Sequence, residues 1–455
     1  MKTFLKRTAI ILICLVGFWC ILLSLRKPWI EPIPGVRLEP TRPILLEKDV
    51  KPDSAFDLLR RAGAAYTVPQ KQEHAADDEW KHMPWSLNGA TNTLAVLEQA
   101  QESLALARRA AEAPDPQVPT ETNIIQTLPY ITKMGAICRC FNMSAKVKTV
   151  QGDYPGAFSN LRIAISFSSI LSRGGVLIDH LVSIACCDMS CRTMRQIASN
   201  YPVEEDLLRD NIRFLETTDN ESEPFVECMR YEWIFAHASI DECFNDPLFF
   251  ARGRSSKPRR AANRTIACLL GSKPGNMEKD MDACYTHLII MAEKPYDPAA
   301  YDRFDKLLGP EADISLLLNK TSGYHSDSSP VPLISLLQYK DPIGRVLAQV
   351  LLSGTGKGHS KYVTMIADLR ATRIFLAVVM FKRDEGRLPQ KLDELTPKYL
   401  DNIPDDPFDG KQMKYRLNPD GTWVVYSVGI DGKDDGGVED SKLGRGKPDL
   451  TFGPT

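Results

Sequence analysis

From about Lys51 to Leu352 apolar residues recur at three- and four-residue steps, the spacing of one face of a helix. Ala55, Leu58, Leu59 and Ala62 form a short stripe, and Leu94, Leu97, Ala100, Leu104, Leu106 and Ala107 begin another that ends before Pro114 and Pro116. Tyr130 to Val147 opens just after Pro129 and predicts a third helix; Leu177 to Ala198 and Val203 to Leu215 predict two more. Between them, Gly152-Asp153 closes one helix, and Ala157, Leu161 and Ile165 stand at i, i+4 and i+8, a face that packs back on it. The polar stretches Thr217–Glu223, Arg252–Arg260 and Thr321–Pro332 read as surface loops.

The pattern changes toward the C-terminus. Gly354-Thr-Gly-Lys-Gly-His-Ser360 reads as a hinge; it lacks the Gly-Lys-Ser/Thr ending and the preceding strand of a phosphate loop. Tyr362, Met365, Leu369, Thr372, Leu376 and Val379 predict an amphipathic helix over Ser360–Arg383, stopped by Gly386 and Pro389. A short helix over Gln390–Leu395 ends at Pro397. Met413-Lys-Tyr-Arg-Leu417 then alternates as a half-buried strand does, Asn418-Pro-Asp-Gly421 is a turn, and Trp423–Val428 supplies the partner strand.

The N-terminus carries the opposite extreme of patterning. Lys2, Lys6 and Arg7 precede an unbroken apolar run, Thr8–Leu25, and Arg26-Lys27 follow it. Eighteen residues rise about 27 Å, close to the thickness of a bilayer core. No small-x-small cleavage site follows, so residues 8–25 are expected to be an uncleaved signal-anchor, with the N-terminus inside and the bulk outside. Pro28, Pro32, Pro34, Pro40 and Pro43 then predict an extended stalk.

Composition narrows the function classes. The 455 residues are 43% hydrophobic and 25% charged, ordinary for globular protein, and the net charge of −2 with no basic stripe sets nucleic acid aside. Nine of eleven cysteines fall in the central region, where core thiols or disulfides fit better than zinc because no paired Cys-x-x-Cys accompanies them. The seven histidines form no His-Glu-x-x-His, and no Gly-x-Ser-x-Gly elbow is present. Glu227 and Arg230, three apart, can pair on one helical face, whereas Glu232 and His237 diverge.

One loop carries candidate chemistry. Asp431, Asp434 and Asp435 lie within five residues, Gly429, Gly432, Gly436 and Gly437 let the backbone bend around them, and Asp449 follows close by. Carboxylates and inward carbonyls at this density suit calcium, which takes six to eight oxygens. The other reading is an Asp-Gly surface turn with solvated carboxylates.

Two resemblances add to this. Val150-Gln-Gly-Asp-Tyr-Pro-Gly-Ala-Phe-Ser-Asn-Leu-Arg-Ile-Ala-Ile165 resembles the turn and second helix of a tetratricopeptide hairpin, without a flanking repeat. Arg383-Asp-Glu-Gly-Arg-Leu-Pro389, Leu392 and Leu395, Asp406-Pro-Phe-Asp-Gly410, Tyr415 and Tyr426-Ser-Val-Gly-x-Asp-Gly432 resemble the soluble part of the major pseudopilin of type II secretion. That resemblance implies a helix on a small sheet and a calcium-binding C-terminal loop. It departs from the family where the anchor and the head are separated by more than 300 residues, which speaks against polymerisation as a pilus subunit.

The expected architecture is therefore mainly α: a cytoplasmic N-terminus (1–7), a transmembrane helix (8–25), a proline-rich stalk (26–50), a helical, partly tetratricopeptide-like domain (51–352) and a small α+β pseudopilin-like domain (360–455). The expected placement is the bacterial inner membrane, single-pass, with the membrane and an envelope protein as partners. The expected function is interaction or scaffolding at the envelope, near a secretion or pilus-like system, with a structural calcium at Asp431, Asp434, Asp435 and Asp449. The alternative is an envelope hydrolase with its site in the helical domain.

Overall fold

A computed structural model describes residues 30–114, 116–120, 130–245, 264, 268, 272–308, 341–352, 354–438 and 449–454. Four short helices come first: α1 (Ala55–Ala65), α2 (Gln70–Asp78), α3 (Thr91–Gln99) and α4 (Gln101–Glu112). Ser54 caps α1 by accepting the Asp57 N–H. The hairpin expected around Gly152 follows as α5 (Ile131–Val150) and α6 (Tyr154–Ser172). Gly152 takes φ +81°, and Asp153 accepts the Gly156 N–H at 2.9 Å, so a left-handed stop and an N-cap turn the chain within three residues. Ala157, Leu161 and Ile165 are buried, as their spacing predicts.

Then come α7 (Leu177–Asn200), α8 (Glu205–Glu221), α9 (Phe225–Asn245), α10 (Pro274–Ala292), α11 (Pro298–Leu308), α12 (Pro342–Leu352) and the long α13 (Thr355–Glu385). A three-stranded antiparallel sheet closes the chain: β1 (Lys414–Leu417), β2 (Trp423–Ser427) and β3 (Leu450–Phe452), in that spatial order. Tyr415 faces Val425 across the first pair and Phe452 faces Val425 across the second.

Two cores organise these elements. The larger runs from Ala55 to Phe452 and takes in α1 to α8, α13 and the sheet. The smaller gathers α9 to α12 with Ile30. Helix α13 packs against α7, α8, β2 and β3, with Phe375 and Trp423 rings 4.7 Å apart. Inside that packing Arg195 of α7 bonds both Asp368 and Thr372 of α13, and its guanidinium lies 5.2 Å from the Phe452 ring. A buried arginine so placed ties helix to helix and helix to sheet.

Several expectations are corrected. No helix among the described residues is long and apolar enough to cross a membrane, which overturns both the membrane-spanning element of the fold class and the single-pass inner-membrane placement; residues 8–25 themselves lie outside the described residues. The supposed stalk does not project, from Ile30 onward. Ile30 is buried in the smaller core, Ile33 N–H donates to Thr286 Oγ1 at 2.9 Å and Thr41 N–H to Glu227 Oε2 at 2.8 Å.

The supposed hinge is the first turn and a half of α13. Its glycines serve close approach: a Cβ on Gly356 would sit 2.8 Å from the Tyr301 ring and one on Gly358 2.7 Å from Leu177. Thr217–Glu221, read as loop, is the last turn of α8. Residues 252–260 and 321–332 lie outside the described residues.

Candidate functional site

The four predicted aspartates do not share one environment. Asp431, Asp434 and Asp435 are exposed, whereas Asp449 is buried. Asp449 Oδ2 accepts the Asp435 N–H at 3.0 Å and the Gly437 N–H at 2.7 Å, so this carboxylate itself fastens the tail to the loop. Asp434 Oδ1 accepts from Tyr426 Oη at 3.2 Å and from Gly436 N–H at 3.0 Å; Asp431 only braces its own turn, through Lys433 N–H at 3.1 Å. Asp449 Oδ1 has no hydrogen-bond partner. Burial pushes the Asp449 pKa up, the two amides oppose that, and Asp434 and Asp435 push it further up. Among the described residues no three His, Cys, Asp or Glu side chains converge as a metal cage.

Sequence reasoning passed over the firmer anchor, Asp406. Fully buried, it accepts from Ser427 Oγ at 2.8 Å, Val428 N–H at 2.8 Å and Phe408 N–H at 3.0 Å, joining the Asp406–Gly410 turn to the end of β2. The Asp-Pro-Phe-Asp-Gly signature marks the turn, but nothing local shows that its first carboxylate is buried.

A small cleft, open to solvent, lies between α6, α7, α8 and α13. Its apolar wall is Ile165, Ile184, Met365 and Leu369, with Tyr362 beside them. Its polar wall is dominated by hydroxyls whose protons are already committed. Ser168 donates to Ile165 O at 2.8 Å, Ser169 to Ser166 O at 2.7 Å, Ser172 to Ser169 O at 2.8 Å, Thr218 to Phe214 O at 2.9 Å and Ser222 to Thr218 O at 2.7 Å. Each of these five therefore has only lone pairs left to offer, while Ser183 and Tyr362, also in the lining, keep a hydroxyl proton.

His180 and Glu223 bring the lining's ring nitrogen and carboxylate. His180 is buried, and burial pulls its pKa down to about 4 against a bond to the Ser172 backbone. Its Nε2 has no partner, so Nδ1 makes that bond as donor, and Nε2 of the neutral ring is an acceptor. Glu223, also buried, faces Arg42 at 3.3 Å, yet its Oε2 accepts no hydrogen bond, and burial raises its pKa.

Behind the cleft, the N-terminus of α7 rests on a second buried carboxylate. Glu232 Oε2 accepts the Leu177 N–H at 2.7 Å, supplying one of the donors a helix start leaves free, and burial pushes its pKa up to about 7. Glu227 bonds Arg230 as their spacing predicts, and Arg230 also reaches Glu293 at 2.9 Å. His237 turns the other way, to Asp282 at 3.1 Å.

These arrangements are poor in nucleophilic chemistry. His180 Nε2 meets no hydroxyl, His359 Nδ1 is bonded to Tyr301 Oη at 2.8 Å, and the buried thiols of Cys228 and Cys284 are pushed well above their ordinary pKa. No disulfide or thiol pair bonded to metal occurs among the described cysteines: Cys138, Cys140, Cys186, Cys187, Cys191, Cys228 and Cys284 are buried and free, and Cys268 is exposed.

Compared with known proteins, the chain matches no family model, no curated protein and no solved structure.

Proposed function

We propose that this is a binding and scaffolding protein, and that the cleft between α6, α7, α8 and α13 is where it takes a small ligand. One observation carries the reading: His180 Nε2 is an unpartnered acceptor on a buried ring that lines an open, hydroxyl-walled cleft. Leaving such a group unsatisfied costs roughly 1–3 kcal/mol, a cost that a bound donor removes. A flat protein-docking face has less to support it. Among the described residues, the large exposed apolar side chains, Ile44, Leu94, Ile178 and Leu307, fall on four separate segments and form no run along any one of them.

The test is a ligand-observed NMR screen of small hydrogen-bond donors against the wild type and a cleft-filled variant, Ser169→Phe. Binding to the wild type that disappears in the variant supports the reading; binding indifferent to the variant, or none at all, overturns it.

A second reading follows the pseudopilin resemblance and concerns the tail. The orphaned Oδ1 of Asp449, with Asp434 and Asp435 close enough to raise its pKa, favours a cation at this loop. A melting temperature raised by millimolar calcium and restored by chelator supports it. An unchanged melting temperature sinks it.

A further inference from the structure

We infer that the cleft recognises a protonated primary amine carrying a short apolar tail. This rests on the ligand-site reading above and adds the chemistry of the occupant. Three features of the lining point the same way. First, its hydrogen-bonding capacity is weighted toward acceptors: the Ser168, Ser169, Ser172, Thr218 and Ser222 protons are spent on their own helices and His180 presents a lone pair, against two uncommitted hydroxyls on Ser183 and Tyr362. An occupant that brings donors finds the most partners here, and an ammonium brings three and no acceptor.

Second, the one ionisable side chain of fixed sign in the lining is the carboxylate of Glu223; no Lys or Arg lines the cleft. Arg42 Nη2 ion-pairs with Glu223 Oε2 itself at 3.3 Å, from a side chain that is 47% exposed, but not in hydrogen-bonding geometry. Arg173 lowers the Glu223 pKa only weakly, as the last of four influences, and is itself engaged with Glu221. An ammonium at Oε2 would supply the missing donor at short range, where a charge-assisted bond is strongest. A carboxylate or phosphate occupant, by contrast, would meet Glu223 and a row of lone pairs, with the Ser183 and Tyr362 hydroxyls as its donors.

Third, the opposite wall is apolar. Ile165, Ile184, Met365 and Leu369 suit an alkyl chain, and the Tyr362 side chain lines the same wall. The same arrangement has an acid limit: a proton on His180 would turn Nε2 into a competing donor with positive charge.

The experiment is calorimetric titration at pH 7 of n-butylamine, n-butanol and butyrate into the wild type, Glu223→Gln and Ser169→Phe, each variant first checked by its melting curve. The expected result is that butylamine binds the wild type at least tenfold more tightly than butanol, that butyrate does not bind, and that Glu223→Gln removes the amine preference while leaving butanol binding intact. If butanol binds as well as butylamine, or Glu223→Gln leaves the preference in place, the amine assignment is overturned; loss of butanol binding in Ser169→Phe then shows the cleft reading standing without it. If none of the probes binds the wild type, both fall. If Glu223→Gln melts out early, butylamine against butanol on the wild type across pH 7 to 4 decides: the amine preference must fade toward acid pH as His180 and Glu223 take up protons, and a constant preference overturns the assignment.

Discussion

Glu232→Gln should stabilise this protein at alkaline pH and do nothing at acid pH. In the folded state Glu232 is buried and its pKa is pushed from 4.5 to about 7, burial acting against the single bond from Leu177 N–H. Below pH 4.5 the side chain is protonated in both folded and unfolded chains, and its full contribution to stability is present. Between 4.5 and 7 the folded protein keeps a proton that the unfolded chain has released, so stability falls as pH rises, and the loss is complete above about pH 7. At about 1.4 kcal/mol per pH unit the window is worth about 3 kcal/mol. Glutamine keeps a carbonyl oxygen for the Leu177 N–H and has no charge to bury. The variant should therefore match the wild type at pH 4.5 and exceed it by up to about 3 kcal/mol at pH 8. Urea unfolding followed by circular dichroism at half-unit steps from pH 4.5 to 8.5 measures this directly, with midpoints converted by linear extrapolation. His180 and His359 also titrate in that range, but they are common to both proteins and cancel in the difference. A stability difference that stays constant with pH, or a variant weaker than the wild type at pH 8, would refute the placement of this carboxyl in a dry site.

The acid limb has its own signature: His180 falls from 6.5 to about 4 in the folded state, so wild-type stability is lost as pH drops from about 6.5 toward 4, and His180→Gln should flatten that limb by up to about 3 kcal/mol in the same assay. Arg195→Met leaves Asp368 buried without its cation and should cost about 3–5 kcal/mol in chemical denaturation, whereas adding Asp368→Asn should recover part of the loss. Gly356→Ala would ordinarily favour a helix by up to about 1 kcal/mol, but here the new methyl meets the Tyr301 ring at 2.8 Å; a net loss of roughly 1–3 kcal/mol in thermal unfolding is expected, and a gain would mean that Tyr301 moves freely.

How far the sequence reached depended on how local each signal was. The α5–α6 hairpin was legible because Gly152 and Asp153 act within their own turn, and β1–β2 because Asn418–Gly421 closes it, with Asn418 N–H on Thr422 O at 2.7 Å. Strand β3 was not: Leu450–Phe452 is three residues long and becomes a strand only by pairing with β2. Gly356 and Gly358 in the first turns of α13 mislead because the same residue type serves flexibility and close approach, and Tyr301 and Leu177, the neighbours that decide, lie far away in sequence. Serines at 166, 168, 169 and 172 in the otherwise apolar second half of α6, Ile163–Ser172, were a usable hint of a polar wall. Glu232 gave none, since its burial is set by the start of α7, fifty-five residues earlier. The apolar run at 8–25 is the strongest local pattern of all, and it lies outside the described residues.

Helix α13 also imposes an order on synthesis. The faces of α7 and α8 that it covers are complete once Glu221 has been made, yet their partner ends at Glu385, 164 residues later. At roughly 5–20 residues per second that is a wait of about 8–30 s, during which the apolar faces and the Arg195 guanidinium of a nascent chain have no partner. Chains halted or cut before residue 385 would never receive it, so incomplete products should be caught by chaperones or aggregate, and the ribosome's pace through the middle of the message becomes a determinant of yield.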